Sequence, residues 1–396
     1  MAVLAGIQQT VKDTGTIVRS VAKDCELLSP SELPVLSAVT GGSVKRPRVN
    51  NLPSTYFNLT ADRIEWYADT MRPTFYTLNA ASTAGTTALT IASPVTNALH
   101  LTKGTILESV STGEQVLVTT AGDASGNVTV ARAFAGTTGA TIPTTANDLR
   151  VVGRAIWEGD DFATDSFITK DSYMNYWQGF YGTVGGTLKE RALDRYGVSG
   201  ADAIADQEKK TLLQVMKELE YAVIYGRGQL GTGSAVPSTM HGLRGLMPAA
   251  NVTNVAGALT ASAVDTVLEN LFNAGGDANT PDTVLVNGKG KNIFTRVYGQ
   301  GYVNLNRDET KHTAGYSIDR VQVNLGTLDI IASPYINSGE CYFFKKDSVG
   351  VGPLDNLEFS VYDLPVTGPR VQRAIYGEYT MVCTRPSAIW RMYAFT

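Results

Sequence analysis

Ala201-Asp-Ala-Ile-Ala-Asp-Gln-Glu-Lys-Lys-Thr-Leu-Leu-Gln-Val-Met-Lys-Glu-Leu-Glu-Tyr-Ala-Val-Ile-Tyr225 runs without a glycine or a proline, and its reading decides the fold. Ile204, Leu212, Val215, Leu219 and Val223 recur at steps that fall on one helical face. Ser199 supplies a cap before the run, and Asp202, three residues on, can reach back to the exposed amides. Asp206 and Lys210 stand four apart in the favourable acid-first order, and Gly226 stops the helix. At about 1.5 Å per residue the predicted helix is about 38 Å long. One helix of this length within β-rich sequence reads as a spine across a flat subunit.

On its C-terminal side, a Gly-rich connection leads to an α/β segment. The pattern predicts a helix from about Ser262 to Asn273, a buried strand Thr283-Val-Leu-Val286 and a second helix over Lys291–Tyr298. Strands are predicted at Val321-Gln-Val-Asn-Leu325, Leu328-Asp-Ile-Ile331 and Cys341-Tyr-Phe-Phe344, and the end from Leu357 to Phe395 is almost wholly strand-like.

On its N-terminal side, residues 156–198 hold Trp157, Phe162, Phe167, Tyr173, Tyr176, Trp177, Phe180 and Tyr181. This set reads as a packing stripe beside an extended loop or at a subunit contact, with a sugar-binding face as the alternative. Residues 73–155 are rich in Thr, Ala and Gly and read as an inserted all-β module. Ala88-Leu-Thr-Ile91, Glu114-Gln-Val-Leu-Val-Thr119 and Asn127-Val-Thr-Val-Ala131 alternate as strands do, and Gly122-Asp-Ala-Ser-Gly126 fits a hairpin tip. Strands this short need several partners, so a compact sheet or barrel is expected. Residues 1–55 lack lasting periodicity and read as an extended arm carrying Lys45-Arg46-Pro47-Arg48.

A chain of 396 residues with 43% hydrophobic content can bury a sizeable core. Charged residues make up 18%, below the roughly 25% usual for soluble domains, which implies surfaces that become covered. The formal net charge of −4 gives no global basic field, so any nucleic-acid contact must be local, as at the basic stretch of the arm. Cys25, Cys341 and Cys383 lack CxxC spacing and suggest neither a disulfide framework nor a zinc site. Met1–Ile7 is too short for a signal-peptide core, and no apolar stretch approaches bilayer-spanning length, so neither export nor a membrane partner is expected.

Motifs that could carry chemistry lack their context. Gly226-Arg-Gly-Gln-Leu-Gly231 fits GxGxxG but follows a helix, where a dinucleotide loop follows a strand. Gly288-Lys-Gly-Lys291 sits between a strand and a helix without the spacing of a phosphate loop. Ser20-Val-Ala-Lys23 has no partner motifs for serine acylation. His100, His241 and His312 lie in no metal-hydrolase pattern, and the adjacent Asp160-Asp161 are not a facing pair. No catalytic residue, metal ligand or cofactor is therefore expected.

The order of several segments resembles the major head proteins of tailed phages, the Hong Kong 97-like family, close to the capsid proteins of elongated-head enterobacterial podophages. Asn175-Tyr-Trp-Gln-Gly-Phe180 and Thr183-Val-Gly-Gly-Thr187 are similar to the family's aromatic NxxQ element and following VxGT stretch. Ala205–Lys210 through Glu218–Ala222 looks like its spine helix, and Gly242-Leu-Arg-Gly-Leu-Met247, Leu271–Gly276 and Pro281–Asn287 are like its post-spine segments. Gly377-Glu-Tyr-Thr380 completes the order. The resemblance covers roughly residues 160–396.

It implies an α+β capsid subunit with this organisation: an arm at 1–55; an extended-loop region at 56–198 carrying the β module at about 73–155; a peripheral domain at 199–261 with the spine at about 201–225; an axial α/β domain at 262–356; and returning strands at 357–396. It implies self-assembly into pentamers and hexamers of an icosahedral or elongated head. The shell would enclose double-stranded DNA bound nonspecifically and work with portal and scaffold or decoration proteins, in a virion assembled in the host cytoplasm. Trp157, Tyr176, Trp177 and Phe180 are then the expected assembly contacts, and Lys45, Arg46 and Arg48 the expected DNA-facing residues. A phage decoration or receptor-binding β protein and an encapsulin-like nanocompartment shell are the alternatives.

Overall fold

The computed structural model describes residues 33–40, 61–69, 71–161, 170–189, 203–298, 305–308, 311–314, 319–354, 357–365 and 368–396. In chain order, α1 (Pro34–Thr40) precedes β1 (Arg63–Ala68). Six strands follow: β2 (Phe75–Tyr76), β3 (Ala88–Thr90), β4 (Thr105–Ser109), β5 (Gln115–Thr120), β6 (Asn127–Ala131) and β7 (Leu149–Arg154). Then come β8 (Asp171–Tyr176), β9 (Gln178–Thr187), the long helix α2 (Ala203–Tyr225) and the one-turn helix α3 (Leu243–Leu246). The next elements are β10 (Val252–Gly257), α4 (Ala261–Gly275), β11 (Thr283–Val286), α5 (Gly288–Tyr298), β12 (Leu305–Asp308) and β13 (Lys311–Ala314). The chain ends with β14 (Arg320–Val323), β15 (Gly326–Ala332), β16 (Glu340–Phe344), β17 (Val349–Pro353), β18 (Ser360–Asp363), β19 (Arg370–Cys383) and β20 (Trp390–Phe395).

The chain forms two compact units, one from Met1–Trp66 with Tyr173–Thr396 and one from Tyr67–Ser172. The centre of the first is a six-stranded mixed sheet ordered β10-β20-β16-β11-β15-β14. Its central strands β11 and β16 are buried on both faces, and the two-residue period divides them. Val284, Val286, Cys341 and Phe343 face a core shared with α4 and α5, while Leu285, Tyr342 and Phe344 face a core shared with α1 and α2. Helix α4 turns Val264, Val267, Leu268 and Leu271 onto the sheet, and its cap residue Thr260 accepts a hydrogen bond from the Ala263 amide. Gly288-Lys-Gly-Lys291 is the first turn of α5, directly after β11, and is capped by the Gly290 amide donating to Asn287 Oδ1 at 2.6 Å.

The second sheet of this unit is built on β19, which pairs with β9 along ten residues on one side and with β17 and β18 on the other, all antiparallel. Helix α2 lies on its inner face. Val215, Met216, Leu219, Val223 and Ile224 pack there against Phe180, Val351, Tyr379 and Met381. Val35, Leu36 and Val39 of α1 enter the same core. Burying side chains of this size stabilises by roughly 1.5–3 kcal/mol each before conformational entropy is subtracted. The helix therefore holds its place by packing rather than by propensity.

The second unit is a small β module with neighbours in the order β2-β7-β4-β5-β6-β3, all antiparallel. A bridge between Leu78 and Ile91, with the Asn79 amide donating to Thr90 O and the Ala92 amide to Thr77 O, joins the segments after β2 and β3. The two outer strands thus meet, and the sheet closes into a barrel filled by Tyr76, Leu89, Leu107, Val116, Val118, Val128, Val130 and Leu149. Asp123 builds the hairpin tip: its Oδ1 accepts from the Ser125 and Asn127 amides, both at 2.9 Å. Inside, Arg132 and Glu114 form a buried ion pair.

Candidate assembly surfaces

Asn175-Tyr-Trp-Gln-Gly-Phe180 spans the end of β8 and the start of β9. Buried Asn175 acts there as a four-way clamp. Its Nδ2 donates to His241 O at 2.9 Å and Met381 O at 2.6 Å, and its Oδ1 accepts from the amides of His241 at 2.7 Å and Tyr176 at 2.8 Å. Gln178 Oε1 accepts from the Met240 amide at 3.1 Å. Both polar residues of the motif therefore pin the loop after α2 to the β9–β19 ladder, a use that side-chain amides suit because each can donate and accept. That loop begins with the GxGxxG match, which opens a return closed by paired Gln229 and Thr239 backbones.

Two of the four aromatic residues expected at assembly contacts are spent inside the chain. Trp177 is 5% exposed, packs with Ile64, Trp66 and Val382, and donates its Nε1–H to Ala61 O. Phe180 is 4% exposed and lies under α2. The β9–β19 ladder turns Phe180 toward α2, while Trp177, on the link between β8 and β9, is covered by Ile64 and Trp66 of β1 and by Val382. Tyr176 keeps a half-buried ring 6.3 Å from that of His241. In the module, Trp157 is 40% exposed, with Lys103 Nζ at 4.7 Å from its ring centroid. Lys103 also binds Asp160, and Thr119, Glu158 and Gly159 complete an open depression of about 530 Å³. Lys45, Arg46 and Arg48 lie outside the described residues, as do Phe162, Phe167 and most of the arm.

The strand register identifies a face that pattern reading did not single out. On β19, Arg373, Ile375, Gly377 and Tyr379 are the helix-facing set, because Arg373 reaches Glu208 on α2 at 2.6 Å and Tyr379 is in the core. The alternate set faces away from α2. It contains Tyr376, its cross-strand partner Tyr181 on β9, and Tyr362 on β18 opposite Ala374. Tyr181 is 70% exposed. The Tyr376 hydroxyl donates to Glu378. The clue available in sequence was the phase of Tyr181 relative to Phe180 on one strand.

Among the described residues no group of three or more His, Cys, Asp or Glu could hold a metal ion, and no helix is long and apolar enough to cross a membrane. What the surface offers is aromatic area on a rigid sheet. The family model described as the SU10 major capsid protein matches residues 6–394. The chain belongs to that family. No curated protein matches it. Among solved structures it is similar to the capsid of a native GTA particle, at 8% identity with a TM-score of 0.52, covering 98% of this chain and 100% of that one. It is also similar to Mycobacterium phage Bobi at 12% identity and TM-score 0.40, over 61% of this chain and 80% of that chain. The holo-SrpI encapsulin of Synechococcus elongatus PCC 7942 gives 13% and 0.40, over 60% and 79%. The chain thus has the α+β Hong Kong 97-like capsid fold. As a major capsid protein it is a shell-forming subunit of a virion, and its partners include further copies of itself.

Proposed function

We propose that this capsid protein assembles through pentamers and hexamers into an icosahedral or elongated phage head enclosing double-stranded DNA. The whole-chain match to a major capsid protein family carries this reading. Assembly takes place in the host cytoplasm, with portal and scaffold or decoration proteins as further partners. DNA contact is nonspecific, a phosphate interaction without base readout, and Lys45, Arg46 and Arg48 supply its local positive charge. The chain works by assembly, without catalytic turnover or cofactor.

In this reading residues 199–261 with α2 form the peripheral domain, residues 262–356 the axial domain, and the module within 56–198 decorates the extended loop. Trp157 and Tyr176 contribute to contacts between copies, since exposed aromatic rings with a polar edge are enriched at such contacts. Trp177 and Phe180 act indirectly, by holding in place the β8–β9 segment that carries Tyr176.

Negative-stain electron microscopy of the chain expressed alone, together with its sedimentation profile, tests the proposal. Shells, tubes or ring-shaped capsomers are expected. A stable monodisperse monomer or trimer would overturn it. Nuclease-protected double-stranded DNA inside particles purified from infected cells would separate a head from a protein-filled compartment.

A further inference from the structure

Glu220 lies on the apolar stripe of α2, one turn before Val223 and Ile224, and is 0% exposed. Its Oε1 accepts from the Val35 amide at 3.2 Å and sits 3.3 Å from Ser333 Oγ; the Leu36 amide also donates to the carboxyl. Oε2 is shut away from solvent and has no hydrogen-bond partner among the described residues. Val35 and Leu36 belong to the first turn of α1, and Ser333 follows β15, where its amide donates to Val286 O. One carboxyl thus joins α1, the spine helix and the turn after β15.

Among the described residues no cation is paired with this group. Helix α1 carries no titratable residue, and neither do β11 and β17. On α2 the nearby titratable residues are Lys217 and Tyr221, and Tyr221 packs edge-on against Tyr335 at 5.3 Å. On β16, Glu340 is already engaged by Arg391 and by the Tyr342 hydroxyl. Arg244 of α3 is not ion-paired with Glu220 among the described residues. An ionised carboxyl buried this way has one oxygen with nothing to accept from, whereas the neutral acid carries its proton there and keeps Oε1 for the α1 amides.

We propose that Glu220 is a proton-operated latch for α1: the neutral acid holds α1 against the spine helix and the β15 turn, and ionisation loosens that contact. Burial pushes the Glu220 carboxyl up from 4.5 to about 7, against the smaller opposing pull of the Val35, Ser333 and Leu36 hydrogen bonds. A carboxyl whose pKa is raised in the docked state and ordinary when released favours docking below about 4.5, and loses that contribution as pH rises through about 7. Between pH 5 and pH 8 the docking equilibrium should fall on the order of 70-fold.

Hydrogen exchange of the full chain, read on peptides covering residues 33–40 and corrected for the intrinsic pH dependence of exchange, tests this. Protection of α1 should fall about 70-fold from pH 5 to pH 8, while peptides of α4 hold theirs. Glu220→Gln keeps the acceptor and fills the Oε2 position with an amide, so it should make α1 protection independent of pH. Unchanged α1 protection across this range, parallel loss in α4, or an undiminished pH dependence in Glu220→Gln would each overturn the proposal.

Discussion

Replacing Arg132 with methionine should unfold the β module at a much lower temperature than wild type while leaving the rest of the chain in place. Arg132 and Glu114 are 6% and 0% exposed, and the guanidinium grips both carboxylate oxygens, Nε to Oε1 at 2.8 Å and Nη2 to Oε2 at 2.6 Å. Nη1 donates to Ser82 Oγ, Thr83 O and Thr86 O, and the Ala133 and Ala140 amides complete the shell of Glu114. The pair therefore ties the loop before β3 to the segment after β6. Methionine fills the stem but leaves Glu114 buried with two amide donors and no counter-charge. Breaking a buried pair from one side costs about 3–5 kcal/mol, and for a unit of roughly 100 residues each kcal/mol lowers Tm by about 4–8 °C. A drop on the order of 15 °C or more is expected by calorimetry of the full chain, with exchange protection lost in peptides covering 82–86 and 133–140. Adding Glu114→Gln to Arg132→Met should restore part of the loss, because the uncompensated charge is gone. The pH dependence has a definite sign. Burial alone would raise the Glu114 carboxyl, but the hydrogen bonds from Arg132, Ala140 and Ala133 outweigh it and hold it below the ordinary range. Its contribution is present above about pH 4.3 and lost as pH falls through the lower folded value, so Arg132→Met should flatten the acid limb of the module's stability. A shift below about 1 kcal/mol, or an unaltered acid limb, would refute the reasoning.

Gly242→Ala should destabilise the first unit by roughly 1–3 kcal/mol in denaturant unfolding, since its Cβ would stand 2.3 Å from Ala222 O and 2.6 Å from Val223 O, backbone atoms that cannot swing aside. Asn175→Ala strips partners from the buried carbonyl of Met381 and from both backbone groups of His241, and should cost about 3 kcal/mol or more; a loss under about 1 kcal/mol by the same measurement would show that water replaces the side chain. Tyr181→Lys, on a 70% exposed side chain, should leave Tm within about the shift of 0.5 kcal/mol yet reduce the yield of sedimenting shells; wild-type yield would remove that face from assembly.

What pattern could read was local. The stripe from Ile204 to Val223 set the helix, and Val215, Leu219 and Val223 are indeed buried, because an apolar period near 3.6 has one physical use in a polar chain. Thr283–Val286 was readable as a buried strand for the same kind of reason, and all four of its residues are buried. What pattern could not read depended on partners far along the chain. Phe180 and Trp177 read as interface residues, and their burial comes from distant partners: β19 pairs with β9 and sets Phe180 under α2, and Ile64, Trp66 and Val382 cover Trp177. Glu220 falls one turn before Val223 and Ile224 on the apolar stripe, but its burial depends on α1 and on the turn after β15. A compact sheet or barrel is expected of the module, but the Leu78–Ile91 bridge that joins its outer edges lies just outside the strands, where alternation gives no signal.

The two faces of the β9–β19 ladder carry different kinds of residue for different physical reasons. Inward, Gly182 lets α2 come so close that an added Cβ would stand 2.4 Å from Thr211 Cγ2 and 3.0 Å from Val215 Cγ2; the spine helix therefore rests on strand backbone at this point, with Phe180 and Val184 on either side. Outward, the same strands present Tyr181, Tyr376 and Tyr362. An antiparallel sheet with one face left to water usually carries Thr, Lys or Glu there. Tyrosine instead offers a large apolar ring that gains from being covered and a hydroxyl that tolerates water before it is. A subunit must remain soluble alone and then bury area against its neighbours, so the two requirements meet in that residue. In a shell-forming family the natural cover for such a face is another copy of the chain. Its rigidity, set by the ten-residue ladder behind it, keeps the entropy lost on contact small.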